Sequence, residues 1–256
     1  MQAYARSFSR IQAILKELRE NCPWDKKQTI HTLRHLTIEE TYELADSITE
    51  ENWDGLKEEL GDLLLHILFY ARIAEESKHF DIGDVIEGVC NKLVFRHPHI
   101  YEFVKADDEE TVKQNWEKLK LKEGKKSVLG GVPASLPAIT KAVRLQEKAA
   151  QVGFEWSVTD EVKAKLQEEL EELDEAVQIG KQEDIESEFG DVLFSMINLA
   201  RFLRIDPDNA LERTNKKFKK RFELMESKLI ASGKDLMSSS LAEMDEVWNE
   251  IKKDEP

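Results

Sequence analysis

Apolar residues recur at helical spacing along most of the chain. Phe8, Ile11, Leu15 and Leu18 stand three or four apart with charged residues between them, which predicts an amphipathic helix over 8–19. The same period predicts helices over 37–50, 56–76 and 82–95, enough for a small bundle. After Pro98 the pattern turns polar. The stretch from Lys105 through KEGKKSVLGGVPASLP to Pro137 combines a Gly-Gly pair, prolines and mixed charge, the signature of a linker, with one short helix expected at 112–120. Helical spacing resumes over 138–151, 160–179, 185–203 and 207–232, with a last segment at 241–252. The pattern therefore predicts an all-α chain of tandem four-helix-bundle-like domains, 1–104 and 136–256, joined by a linker at 105–135.

The two helical sets are copies of one another. With a constant shift of 129 residues, Glu39, Glu40, Glu43, Leu44, Glu59, Gly61, Asp62, Leu64, Ala71 and Arg72 fall on Glu168, Glu169, Glu172, Leu173, Glu188, Gly190, Asp191, Leu193, Ala200 and Arg201. Those ten identities lie in a gapless window of 34 residues, and the acids among them are not residues a hydrophobic core would require. Weaker echoes flank the window: PWD at Pro23 to Asp25 faces FEW at Phe154 to Trp156, and KLVFR at Lys92 to Arg96 faces KFKKR at Lys217 to Arg221. Trp24 and Trp156 are expected to be packing anchors.

Each copy reads E-E-x-x-E, fifteen residues, then E-x-x-D. Residues three apart share a helix face, so Glu40 and Glu43 project together, and Glu59 and Asp62 project from the next helix. A turn near residues 51–54 makes the two helices antiparallel neighbours, so four carboxylates are expected to converge on one groove. Glu169, Glu172, Glu188 and Asp191 repeat the arrangement. Four clustered carboxylates repel one another unless a cation or protons intervene. With only hard oxygen donors, the cation expected is Mg²⁺ or Mn²⁺ rather than zinc or copper. A merely solvated acidic face has no reason to keep the same acids at the same spacing twice. Gly61 and Gly190, which cost helix stability, are expected to leave room for the metal–phosphate groove or the facing helix.

Such a cation typically keeps positions open for phosphate, and Lys217 and Arg221, four apart, supply complementary positive charge. Trp248 lies in EMDEVWNEIKK with Met244, Val247 and Ile251 at helical spacing, which suits a core position or a base-stacking platform. His66 follows Asp62 by one turn, but the repeat has Ser195 there, so it is not expected to be a ligand. A di-iron bundle would need Glu-x-x-His where both copies have Asp. An adaptor for a basic partner would need no metal at all.

Composition narrows the picture further. Charged residues make up 35% and hydrophobic ones 41% of 256 residues, and the net charge is −15 with a pI near 5.0, so the overall field repels nucleic acid and anionic membranes. No apolar run is long enough to span a bilayer, and the first twenty residues lack a signal peptide's apolar region. Cys22 and Cys90 fit neither a disulfide framework nor a zinc spacing. The expected location is the cytoplasm.

The combination CPWDKKQT, EETYE at Glu39 to Glu43, EELGD at Glu58 to Asp62, LGGVPASLPA, VGFEW, EELEE at Glu168 to Glu172 and EFGD resembles the two-domain MazG nucleoside triphosphate pyrophosphohydrolases over nearly the whole chain. The resemblance implies a dimeric all-α NTP pyrophosphatase fold that splits an NTP or dNTP into monophosphate and pyrophosphate. Carried over by motif, Glu169, Glu172, Glu188 and Asp191 bind Mg²⁺, Lys165, Lys217 and Arg221 contact phosphate, and Trp248 contacts the base. Glu169 and Glu172 are both candidates to orient or deprotonate the attacking water. The first copy keeps its acids but has no counterpart of the Trp248 segment, which implies a site that binds metal and hydrolyses poorly.

Overall fold

The computed structural model describes residues 2–101 and 127–254 and divides the chain into two units, Met1–Trp116 and Glu117–Pro256. The described residues form ten α-helices and no strand. The helix expected at 112–120 lies outside them.

The first unit contains α1 (Gln2–Asn21), α2 (Ile30–Thr49), α3 (Trp53–Glu76), α4 (Ile82–Arg96) and the single turn α5 (Pro98–Tyr101). Helix α2 starts seven residues earlier than its apolar period suggests, because Thr29 and Thr32 form a reciprocal capping box. Thr29 Oγ1 accepts from the Thr32 amide and Thr32 Oγ1 from the Thr29 amide, which satisfies donors the helix start would otherwise leave unpaired. The polar run His31, Thr32, Arg34, His35 dilutes the apolar spacing there and hides the helix from a periodicity reading. Asn52 caps α3 by a single side-chain bond, accepting from Gly55 N at 3.1 Å, and Glu51 takes the left-handed conformation with φ 53°. This tight connection folds α2 and α3 into a hairpin.

The core of this unit is Leu15, Leu33, Leu68 and Phe69, with Phe8, Ile11 and Leu65 packed on it. Arg19 ties its edge together. Its guanidinium donates to both Glu76 oxygens, at 2.6 and 3.2 Å, to the carbonyls of Asp25 and Gln28, and lies over the Phe69 ring. Four fixed acceptors around one planar fork join α1, the turn after it and the end of α3. Helix α4 is different, because none of its residues is buried: Val85, Ile86, Val89, Leu93, Val94 and Phe95 are all exposed.

The second unit contains α6 (Ala138–Ala150), α7 (Thr159–Ile179), α8 (Gln182–Phe202), α9 (Pro207–Ala231) and α10 (Leu241–Asp254). Gly180, at φ 80°, ends α7 in the left-handed conformation that glycine adopts without strain, and α8 begins two residues later as the second arm of a hairpin. Helix α6 docks on α8, where Gln146 Nε2 donates to the Phe194 carbonyl at 2.8 Å. Asp206 caps α9 ahead of Pro207 at its first turn. Helix α9 packs on α6 and α8, and carries α10 through the small core Met225, Leu229 and Ile251.

Trp24 and Trp156 are not packing anchors: they remain 55% and 40% exposed. Indole is large enough to be left partly wet when the turn holding it has no deep core beneath.

Candidate active site

The long helices α7 and α8 set the acids of the second unit. Glu169 and Glu172 lie three apart on α7, Glu188 lies on α8, and one carboxylate oxygen from each falls within 4.8 Å of the others. Glu169 is only 7% exposed, which a merely solvated face would not require. In the first unit Glu40 and Glu43 on α2 and Glu59 on α3 form the matching group, again within 4.8 Å. Each tight group thus holds three of the four acids expected from the motif. Asp62 and Asp191 stand outside, although Asp62 is near enough to act electrostatically on Glu40 and Glu59.

The charges register this crowding. Partial burial, then the Asp62 and Glu43 charges, hold the Glu40 carboxyl above its ordinary range. Glu59 is raised by desolvation first and then by Glu43 and Glu40, and Glu172 by desolvation and its hydrogen bond with Glu169. Lys165 distinguishes the second group. Its ammonium contacts Glu168 Oε1 at 2.8 Å and Glu169 Oε1 at 3.0 Å, and those hydrogen bonds push it well above the ordinary lysine range. The first unit has Leu36 at the repeat-equivalent position, packed against the core.

These donors suit a small hard dication. Trans oxygens around Mg²⁺ are about 4.2 Å apart and adjacent ones about 3 Å, so oxygens gathered within 4.8 Å need little movement to meet one ion. His66 is buried with Nδ1 unpartnered, and burial lowers its pKa while Asp62 raises it; it belongs to neither tight group. A Cβ built on Gly61 or Gly190 meets nothing within 4 Å. A methyl group at either position therefore meets no crowding from the facing helix.

Lys217 is exposed and Arg221 half-buried on α9. Trp248 does not sink into the core. It rests on the Met225, Leu229 and Ile251 cluster with its ring 5.3 Å from that of Phe218, and Phe218 stacks at 6.1 Å on Phe222. Together with Met225, Met244 and Asp245 these rings line an apolar cavity of about 210 Å³ between α9 and α10. The structure thus gathers Glu169, Glu172 and Glu188 with Lys165 on one helix pair, and Trp248 with the aromatic side of the Lys217 and Arg221 helix on the next. The sequence reading missed Phe218, Phe222 and Asp245. Their signal was present as F-x-x-x-F opposite D-x-x-W, two helical spacings that mark shared faces.

Fold and site define a class, all-α proteins that set triads of acids across paired helices. The chain belongs to the MazG nucleotide pyrophosphohydrolase family, whose domain model matches it twice, at residues 28–101 and 159–224. It is 39% identical over 257 aligned residues to the nucleoside triphosphate pyrophosphohydrolase of Escherichia coli K12, covering 97% of this chain and 98% of that protein. It is 42% identical to the nucleoside triphosphate pyrophosphohydrolase/pyrophosphatase MazG of Thermotoga maritima, covering 96% and 95%. A crystal structure of a mazG-related protein from Thermotoga maritima is 27% identical over 44% of this chain and 98% of its own, with a TM-score of 0.40.

Proposed function

We propose that the chain is a nucleoside triphosphate pyrophosphohydrolase that uses the second acid group and yields monophosphate and pyrophosphate. The observation that carries this reading is the acid triad Glu169, Glu172 and Glu188 within 4.8 Å, in a chain related over nearly its full length to proteins of that name. Glu169, Glu172 and Glu188 hold Mg²⁺, with Asp191 as a further ligand. When bound, the ion neutralises triphosphate charge and makes water more acidic. Lys217 and Arg221 hold phosphate oxygens and stabilise the charge that develops there, and Trp248 stacks on the base. Water attacks the α-phosphorus and the bond to the bridging oxygen on the pyrophosphate side breaks. Glu169 or Glu172 takes the proton from that water.

The first group, Glu40, Glu43, Glu59 and Asp62, binds Mg²⁺ without efficient turnover, because it has Leu36 in place of Lys165 and, among the described residues, no aromatic counterpart of Trp248. The two sites belong to separate domains, 1–104 and 136–256. A second copy of the chain covers the apolar face of α4, where Val85, Ile86, Val89, Leu93, Val94 and Phe95 are exposed among the described residues, giving a homodimer. Product analysis tests the reaction: pyrophosphate and monophosphate support it, and orthophosphate with diphosphate refutes it. Glu169→Gln should abolish turnover and Glu40→Gln should spare it. The reverse result would assign the chemistry to the first unit.

A further inference from the structure

The cavity between α9 and α10 is lined almost wholly by carbon and sulfur, from Phe218, Phe222, Met225, Met244 and Trp248, and Asp245 is the one charged group that reaches it. Asp245 precedes Trp248 by three residues, so carboxylate and indole share a helix face. Both Asp245 and Asn249 are exposed, and Asn249 Nδ2 donates to Asp245 Oδ2 at 3.3 Å from one turn further along. Aromatic walls accept any flat ring by stacking and do not distinguish one base from another. A carboxylate at the rim of such an aromatic surface distinguishes them, because an ionised carboxylate only accepts hydrogen bonds.

Guanine carries two adjacent donors, N1–H and the N2 amine, at the spacing of a carboxylate's two oxygens. Adenine and cytosine each set a lone pair beside their amine, so the second carboxylate oxygen meets an acceptor and is repelled. Thymine and uracil offer one N–H between two carbonyls. We infer that Asp245 is a specificity-determining residue that selects guanine nucleotides in the Phe218, Phe222 and Trp248 cavity. This rests on the proposed reading of Trp248 as the base contact.

Hydrogen bonds to a charged group are strong enough to give roughly 10- to 100-fold discrimination. The test is kcat/KM for dGTP, dITP and dATP with the full-length chain and Mg²⁺. The unaltered protein should prefer dGTP over dATP by about 10- to 100-fold, with dITP between them because hypoxanthine keeps N1–H and lacks the amine. Asp245→Ala should bring the dGTP to dATP ratio close to one. Asp245→Asn should turn the preference toward dATP, since a carboxamide offers an acceptor and a donor to adenine's amine and ring nitrogen.

Equal rates for dGTP and dITP in the unaltered protein, or a guanine preference that survives Asp245→Ala, would overturn the assignment. The dITP comparison needs no variant and stands even where a variant fails to fold. Trp248→Ala separates the two layers of the argument. If it raises KM for every nucleotide while Asp245→Ala leaves the ratio unchanged, the cavity binds bases and Asp245 does not select them. If it leaves every KM unchanged, the reading of the cavity as a base site fails.

Discussion

Helix α10 carries Trp248, and it is held to α9 by a core of three buried side chains, so Ile251→Ala should release the helix before it affects the rest of the fold. Ile251 is 3% exposed against Met225 and Leu229. The substitution removes three buried carbons at about 0.8 kcal/mol each, or about 2.4 kcal/mol. The residual cavity would add to this, but the neighbouring 210 Å³ space is open enough for Met225 and Met244 to move in and recover part of the loss. With about 1.4 kcal/mol per tenfold change, the undocked population of α10 should rise roughly 50-fold. Amide hydrogen exchange reads this directly: the amides of 241–254 should exchange roughly 50-fold faster, while those of α7 and α8 keep their protection. Kinetically, KM should rise as the undocked fraction grows, whereas saturating nucleotide re-docks the helix and keeps kcat within about twofold. Unchanged exchange in 241–254 would show that this core does not hold the helix. A fall in kcat with KM unchanged would show that Trp248 does not contact substrate.

Three further outcomes are expected. Carboxylates raised above their unfolded pKa favour the folded, metal-free protein at low pH and lose that contribution as pH rises through the raised value, so Glu40, Glu59 and Glu172 oppose folding at neutral pH until an ion binds. The increase in Tm given by millimolar Mg²⁺ should therefore shrink as pH falls from about 7 to about 5, as protons displace the ion; a shift independent of pH would contradict the liganding role. Arg19→Ala should cost about 2 kcal/mol by urea unfolding, discounted because Glu76 is one-third exposed. Glu76 has its pKa lowered, first by Arg19, so the stability it contributes is present above its unfolded pKa and is lost as pH falls; a loss below about 0.5 kcal/mol would place the fork among ordinary surface pairs. Gly190→Ala should raise stability by about 0.5–1 kcal/mol, since a Cβ there meets nothing. Retained turnover would show that the groove tolerates a methyl group, and lost turnover that bound phosphate, rather than the protein, uses the space.

What the sequence made legible was whatever repeated. Glu40, Glu43 and Glu59 with Glu169, Glu172 and Glu188 stood out because both copies keep them while intervening positions change, and the structure brings each trio together. Asp62 and Asp191 repeat equally well yet fall outside, because repetition reports shared constraint and not three-dimensional convergence. The early starts of α2 and α3 were hidden because Thr29, Thr32 and Asn52 act through side-chain bonds to the backbone, which leave no apolar period. The Arg19 fork was equally invisible: it spans 57 residues to Glu76, and its other acceptors are carbonyls that any residue would offer. Trp24 and Trp156 misled because size alone suggests burial.

The lysine one turn ahead of Glu169 also sets the two acid groups apart in charge. In the second unit Lys165 supplies a counter-charge from the same helix, 2.8 Å from Glu168 and 3.0 Å from Glu169. In the first unit Leu36 spends the same position on the core, so the mutual repulsion of Glu40, Glu43 and Glu59 has no ammonium at that position to offset it. One duplicated position, filled by an ammonium in one copy and a hydrocarbon in the other, gives equal sets of acids unequal local charge.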